Sequence, residues 1–176
     1  LDNYVSDIDN TDAEITWSYS GNTELTVSID ARVATITTPN ADWNGAETIT
    51  FTATDPGLLS DSDPAAFTVT AVNDAPVMAT IGNNIVCQKS LLTFTAFASD
   101  VDIPTDILTF SLVGAPQGAV INSSTGVFTW TPDETQSELY GFTVRVTDSG
   151  TPALSDEEFI GILVNPLPSA ITGTTS

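Results

Sequence analysis

Aspartate, placed in a recurring spacing, carries whatever chemistry this sequence can do. Asp100 and Asp102 stand two apart, Asp106 follows a few residues on, Asp148 closes the run Val146-Thr147-Asp148, and Asn73 and Asp74 open a Pro-containing stretch. An earlier set, Asp7, Asp9, Asp12 and Asp55, has the same order. Glu47 lies beyond the turn at Pro39-Asn40, where it is expected in a loop and offered as a ligand from the preceding domain. Ca²⁺ is a hard cation taking about six to eight oxygen ligands, so it needs carboxylates and carbonyls converging from separate segments. Gathering such like charges without a cation is costly, and a bound ion relieves the repulsion. The same acids also serve as turn formers and solubilising surface, and the residues alone leave both readings open.

Composition removes the rival chemistries. There are 3 Lys+Arg against 23 Asp+Glu and no histidine, a net charge of −20. Nucleic-acid binding rests on basic groups that displace counterions, so it is not expected. Without histidine, and with a single cysteine, the usual zinc and copper ligands, His-based triads and an imidazole general base are missing. Acid pairs such as Asp61/Asp63 and Glu157/Glu158 imitate a glycosidase pair, yet nothing marks one member as the proton donor such chemistry requires. The expectation is that the chain is not an enzyme. Cys87 cannot form an intrachain disulfide and reads as a small buried hydrophobe. No apolar run approaches the ~20 residues that span a bilayer, so membrane insertion is not expected.

Strands must position these acids. Hydrophobic residues make up 41% of the sequence, and they alternate, as in Ile15, Trp17, Tyr19; Ile49, Phe51, Ala53; and Leu108, Phe110, Leu112. Period two marks strands with one buried face. Clusters such as Ser20-Gly21-Asn22, Asn122-Ser123-Ser124-Thr125-Gly126 and Asp148-Ser149-Gly150 interrupt them. Asn122-Ser123-Ser124 also fits a glycosylation sequon, which the turn explains fully. Sliding the sequence on itself by about 93 residues brings Ser6-Asp7-Ile8-Asp9 onto Ser99-Asp100-Val101-Asp102, Trp17 onto Phe110, and Asp55 onto Asp148. An all-β chain follows, made of two tandem immunoglobulin-like β-sandwiches of about seven short strands each. Residues 1–73 form a first copy lacking its first strands, residues 74–166 a complete second copy, and residues 167–176 a linker and first strand of a further repeat, or a donor strand.

The order Ala98-Ser99-Asp100-Val101-Asp102, Val146-Thr147-Asp148, behind the linker Val72-Asn73-Asp74-Ala75-Pro76, resembles the calcium pattern of cadherin repeats. Leu108-Thr109-Phe110-Ser111-Leu112 and the stretch from Ile121 to Pro132 are similar to the dystroglycan-type, putative-Ig cadherin-like domains of bacterial surface proteins. Pro39 to Glu47 resembles bacterial tandem cadherin-like repeats. The resemblance implies a Ca²⁺ site between the copies, built from Asp100, Asp102, Asp148, Asp74, Asn73, Glu47 and Asp106. It also implies a half site of Asp7, Asp9 and Asp55 at the N-terminal pole. Thr70 and Val72 depart from the animal cadherin linker, which points to fewer ions per junction, with one as the expectation. The implied role is a calcium-stiffened structural or adhesive module of an extracellular, bacterial protein. Its partners would be neighbouring repeats or copies of itself, assembled head to tail into a filament by strand complementation. The alternative is a carbohydrate-binding module with a cell-surface or polysaccharide ligand. Trp43 would then stack on sugar, whereas the resemblance makes it a cap on the sandwich edge.

Overall fold

The computed structural model describes residues 1–102 and 105–167. Among the described residues strands dominate, with one short 3-10 helix at Asp2–Tyr4, and the chain divides into two compact units, Leu1–Val72 and the residues from Asn73 onward. No helix among the described residues is long and apolar enough to cross a membrane.

The first unit contains β1 (Thr16–Ser20), β2 (Thr26–Asp30), β3 (Val33–Thr37), β4 (Gly45–Thr54) and β5 (Ser60–Val69). Its three-stranded sheet runs β1-β4-β5, and β2 pairs with β3 as a hairpin. The alternation on β4 turns Ile49, Phe51 and Ala53 inward, where they join Leu25 and Val27. Trp17, Ile36, Trp43 and Phe67 pack against this core and are only partly buried. The tight turn between β2 and β3 holds Ala31 and Arg32 at φ 44° and 62°, matching the right-handed twist of the flanking strands. Arg32 is fixed there by Asp2 at 2.8 Å, and its carbonyl accepts from the Leu1 amino group at 2.7 Å.

The second unit contains β6 (Val77–Met78), β7 (Asn84–Cys87), β8 (Leu92–Thr95), β9 (Ala98–Ser99), β10 (Thr109–Val113), β11 (Val120–Ile121), β12 (Val127–Trp130), β13 (Leu139–Thr147) and β14 (Ser155–Asn165). One sheet runs β10-β13-β14-β7 and another β11-β12-β8, with β6 and β9 as a separate pair. All pairings are antiparallel except β14 with β7, which is parallel. Between the sheets lie Phe128, Trp130, Phe142, Val144, Val146, Ile160 and Ile162, each at most 2% exposed. Phe128 stacks on Phe94 at 4.6 Å and on Phe142 at 5.6 Å, while the Trp130 indole donates to the Gln117 carbonyl at 3.2 Å. The β11–β12 turn is closed by Asn122, whose side-chain oxygen accepts from the Ser124 and Thr125 amides. Gly126 follows at φ +66°, where a Cβ would stand 2.3 Å from the Ala96 carbonyl oxygen, so only glycine fits.

Two observations refine the expectations. Cys87 is exposed and not buried, because it is the neighbouring Val86 that the pleat turns into the core. The two units share part of their pairing order: Trp17 faces Ala53 and Phe110 faces Val146, β1-β4-β5 runs in the order of β10-β13-β14, and β2–β3 is a hairpin as β11–β12 is. Counterparts of β6 to β9 are not found among the described residues of the first unit. The stretch expected to start a further repeat or donate a strand, residues 167–176, lies outside the described residues from Pro168 onward.

Candidate metal centre

At one pole of the second unit, β9 runs out into Asp100 and β13 into Asp148, while Asp106 stands shortly before β10. Sheet geometry explains the meeting: strands that end at the same pole release their next residues side by side. One carboxylate oxygen from each of Asp100, Asp106 and Asp148 lies within 4.8 Å of the others. The grouping joins segments that are far apart in sequence, as an oxygen-ligated cation requires.

Asp148 is the buried anchor, at 5% exposure. Its Oδ1 accepts from the Leu154 amide at 2.9 Å and the Gly150 amide at 3.1 Å, and its Oδ2 accepts from the Asn73 side-chain amide at 3.1 Å. Burial penalises its charge, but the bonds from Leu154, Asn73 and Gly150 outweigh that and hold its carboxyl below the usual range. Asn73 donates also to the Pro152 carbonyl at 2.9 Å, so the loop after β13 and the start of the unit are tied together. Asp106 is in the opposite state. Desolvation, then the charges of Asp148, Asp102 and Asp100, push its carboxyl up, with Ser149 opposing weakly. Asp100 Oδ2 and Asp106 Oδ2 are buried and have no hydrogen-bond partner among the described residues. A buried carboxylate oxygen without a donor is costly, and a cation satisfies it.

Asp102 and Asp74 form the neighbouring layer. The Asp102 amide donates to Asp100 Oδ1 at 2.9 Å, and Asp102 Oδ2 accepts from the Asp74 amide at 2.8 Å. Asp102 thus orients the loop and the linker at once. Two residues that were not among the expected ligands complete the frame. Ser149 Oγ accepts from the Ile107 amide at 2.9 Å, and Asp156 Oδ2 accepts from the Met78 amide at 2.7 Å, pinning β6. The turn cluster Asp148-Ser149-Gly150 is the sequence signal that places Ser149 beside Asp148.

The other expected ligands lie in the first unit. Glu47 sits within β4 and not in a loop. Its carboxylate accepts from the Thr23 hydroxyl at 2.6 Å and from the amides of Thr23, Glu24 and Leu25. The Thr23 hydroxyl first, and then these amides against the opposing cost of desolvation, hold Glu47 down to about 2. Asp7 Oδ1 accepts from the amides of Asp9 and Asn10, and Asp55 Oδ1 caps its turn by accepting from the Leu59 amide at 2.8 Å. A side-chain hydrogen bond with Asp7, then the charges of Asp7 and Asp55, raise Asp9. Among the described residues, these acids form no three-carboxylate cluster like that of Asp100, Asp106 and Asp148.

Residues 73–154 match the family model of a bacterial Ig domain. Solved structures with a similar fold include human CDH23 EC21-23, 17% identical with a TM-score of 0.61 over 86% of this chain and 58% of that one. Mouse cadherin-23 EC22-24 is 20% identical with a TM-score of 0.58, over 88% of this chain and 53% of that one. Protocadherin gammaB7 EC3-6, solved as a cis-dimer, is 23% identical with a TM-score of 0.58, over 86% of this chain and 42% of that one. The chain spans 28% of the protocadherin gammaB4 extracellular domain, and less than two thirds of each of the others. No curated protein matches the sequence.

Proposed function

From the premise that this is an all-β chain of cadherin-like, immunoglobulin-like repeat fold, carrying a bacterial Ig domain over residues 73–154, we propose that it is a non-catalytic structural and adhesive module stiffened by Ca²⁺. The observation that carries the reading is the meeting of Asp100, Asp106 and Asp148 around two buried carboxylate oxygens that lack donors. Asp100, Asp106 and Asp148 would hold the ion. Asp102, Asp74 and Asn73 position them, and Asp7, Asp9 and Asp55 form a lesser site. Ca²⁺ supplies the counter-charge that lets these acids stay together, and its loss loosens the pole where the linker enters. Glu47 as a ligand would have to give up its bonds to Thr23, Glu24 and Leu25, so its first role is to hold its own unit.

The module belongs outside the cell, where calcium is plentiful, next to other repeats or copies of the same chain. Rigidity and exposed strand edges suit adhesion, spacing or head-to-tail assembly into a filament. A carbohydrate-binding role draws on Phe159, 71% exposed on β14; Trp43 instead packs against the first core. Retention on a polysaccharide column, lost in Phe159→Ala, would favour that role.

The deciding experiment is a thermal melt in chelator and in millimolar Ca²⁺, with calcium uptake per chain. An ion bound only by the folded state raises the midpoint, by about 2.7 kcal/mol of stabilisation when its concentration is a hundred times Kd. The doubly substituted chain Asp100→Ala with Asp102→Ala loses this rise, and unchanged uptake would refute the site. Asp106→Asn separates ion binding from folding. In chelator it raises the midpoint, because a charge crowded by three others is removed, and in Ca²⁺ it shrinks the response.

A further inference from the structure

We propose that the outer face of the second unit's four-stranded sheet is a docking surface for a second copy of this chain, the two joined sheet to sheet about a twofold axis. This deepens the self-association named above, placing the copies face to face and not head to tail, and it does not depend on calcium. The sheet order β10-β13-β14-β7 sets the face. Pleating turns Phe142, Val144, Val146, Ile160, Ile162 and Val164 into the core, so the residues between them point outward. Register then aligns Leu139, Leu163 and Ile85 in one row across β13, β14 and β7. Val113, Thr143 and Phe159 form a second row across β10, β13 and β14.

Between the two rows Gly141 faces Gly161. A Cβ on Gly141 would stand 2.6 Å from the Phe159 ring, and one on Gly161 would stand 3.5 Å from Leu139. The glycine pair therefore lets Phe159 and Leu139 lie down across the sheet. Glycine in mid-strand weakens a sheet; here it levels an apolar surface. Phe159 is 71% exposed, Leu139 and Ile85 67% each, Val113 44% and Leu163 40%. Together they leave about 500 Å² of apolar surface against water, in the upper part of the range for the largest patch on a monomer and more than half of the ~800 Å² per partner of a standard interface.

Charge chooses the occupant. Of the residues these four strands turn outward, only Arg145 and Glu157 are charged, and they pair with each other in the row beside Phe159. One cation next to one anion is self-complementary about a twofold axis: the partner lays its Glu157 against Arg145 and its Arg145 against Glu157. The face is thus neutral within a chain of −20, so the repulsion between copies acts from a distance and salt screens it. Four of the five apolar side chains are aliphatic, which suits interdigitation with another protein face more than the stacking of sugar rings.

The test is light scattering and sedimentation of the full chain in chelator, from about 10 μM to 1 mM, at low salt and in about 0.5 M NaCl. The expected mass rises from the 18.4 kDa monomer to twice that value and stops there, at lower protein concentration in the high salt. Leu163→Glu should weaken the association at least about tenfold with the melting midpoint of the unit retained. Phe97→Glu, a residue 67% exposed and on none of these four strands, should leave it unchanged. Arg145→Glu and Glu157→Arg should each weaken self-association, and mixing the two variants should restore it, a rescue that a pair acting only within one copy does not give. A monomer throughout the range in high salt overturns the proposal. So does a dimer indifferent to Leu163→Glu, or growth past twice the monomer mass, the sign of head-to-tail assembly. A monomer whose Phe159 ring signals shift with a soluble neutral polysaccharide overturns it in favour of the carbohydrate role. Because calcium is absent throughout, failure of the ion reading leaves this result intact.

Discussion

Two acids with opposite surroundings summarise the chemistry of this chain. Asp148 is stabilised as a carboxylate by directed donors, whereas Asp106 is crowded by like charges and lacks a donor at Oδ2. Under the proposed calcium reading, an ion would add most at Asp106, where the repulsion is greatest. Glu47 lends itself to a clean pH test. Its folded value, about 2, lies below the ordinary 4.5, so the unfolded state binds protons first as pH falls. Its contribution is therefore fully present above about pH 4.5 and is lost as pH approaches 2. Glu47→Gln should lower the first unit's midpoint by a few degrees at pH 7, and the gap between variant and parent should close between pH 4.5 and 2. A gap independent of pH would mean that the hydrogen bonds to Thr23, Glu24 and Leu25 do not depend on charge.

Strand pairing carries the fold from these residues to the site. β9 and β13 deliver Asp100 and Asp148 to one pole because they belong to the same sandwich, whose closure depends on the layer of Phe94, Phe128 and Phe142. Phe128 is fully buried and stacks on both others. Phe128→Ala should cost about 3–5 kcal/mol in chemical denaturation, and it should weaken calcium uptake as well, because the loops lose the strands that aim them. Retained uptake in a destabilised protein would show that the loops hold the site without the core. The alternation Leu108, Phe110, Leu112 and the turn at Asn122 to Gly126 were legible in the sequence because each rests on local rules, period two and left-handed backbone. Glu47 was misread as a loop residue for an equally local reason. The Asn44-Gly45 turn signal sits directly before it, and only cross-strand pairing with Phe67 draws Glu47 into β4.

Across the whole molecule the two units differ in how complete their cores are. The second buries a full layer of aromatic and branched side chains, and the first leaves Trp17, Ile36 and Phe67 partly covered. Heating in chelator should give two transitions, the first unit melting earlier, and Ca²⁺ should move mainly the later one; a single transition that shifts as a whole would mean the units unfold together. The sequence by itself determined the all-β class and pointed to the acids to watch, because composition and alternation are properties of the chain order. Tertiary structure alone decided which acids meet, which lack donors and which serve as caps. Those outcomes depend on separations in space between residues such as Asn73 and Asp148, which no local pattern encodes. It decided also that Val86, and not Cys87, faces the core, since burial is set by what packs on a strand and not by the strand's own residues.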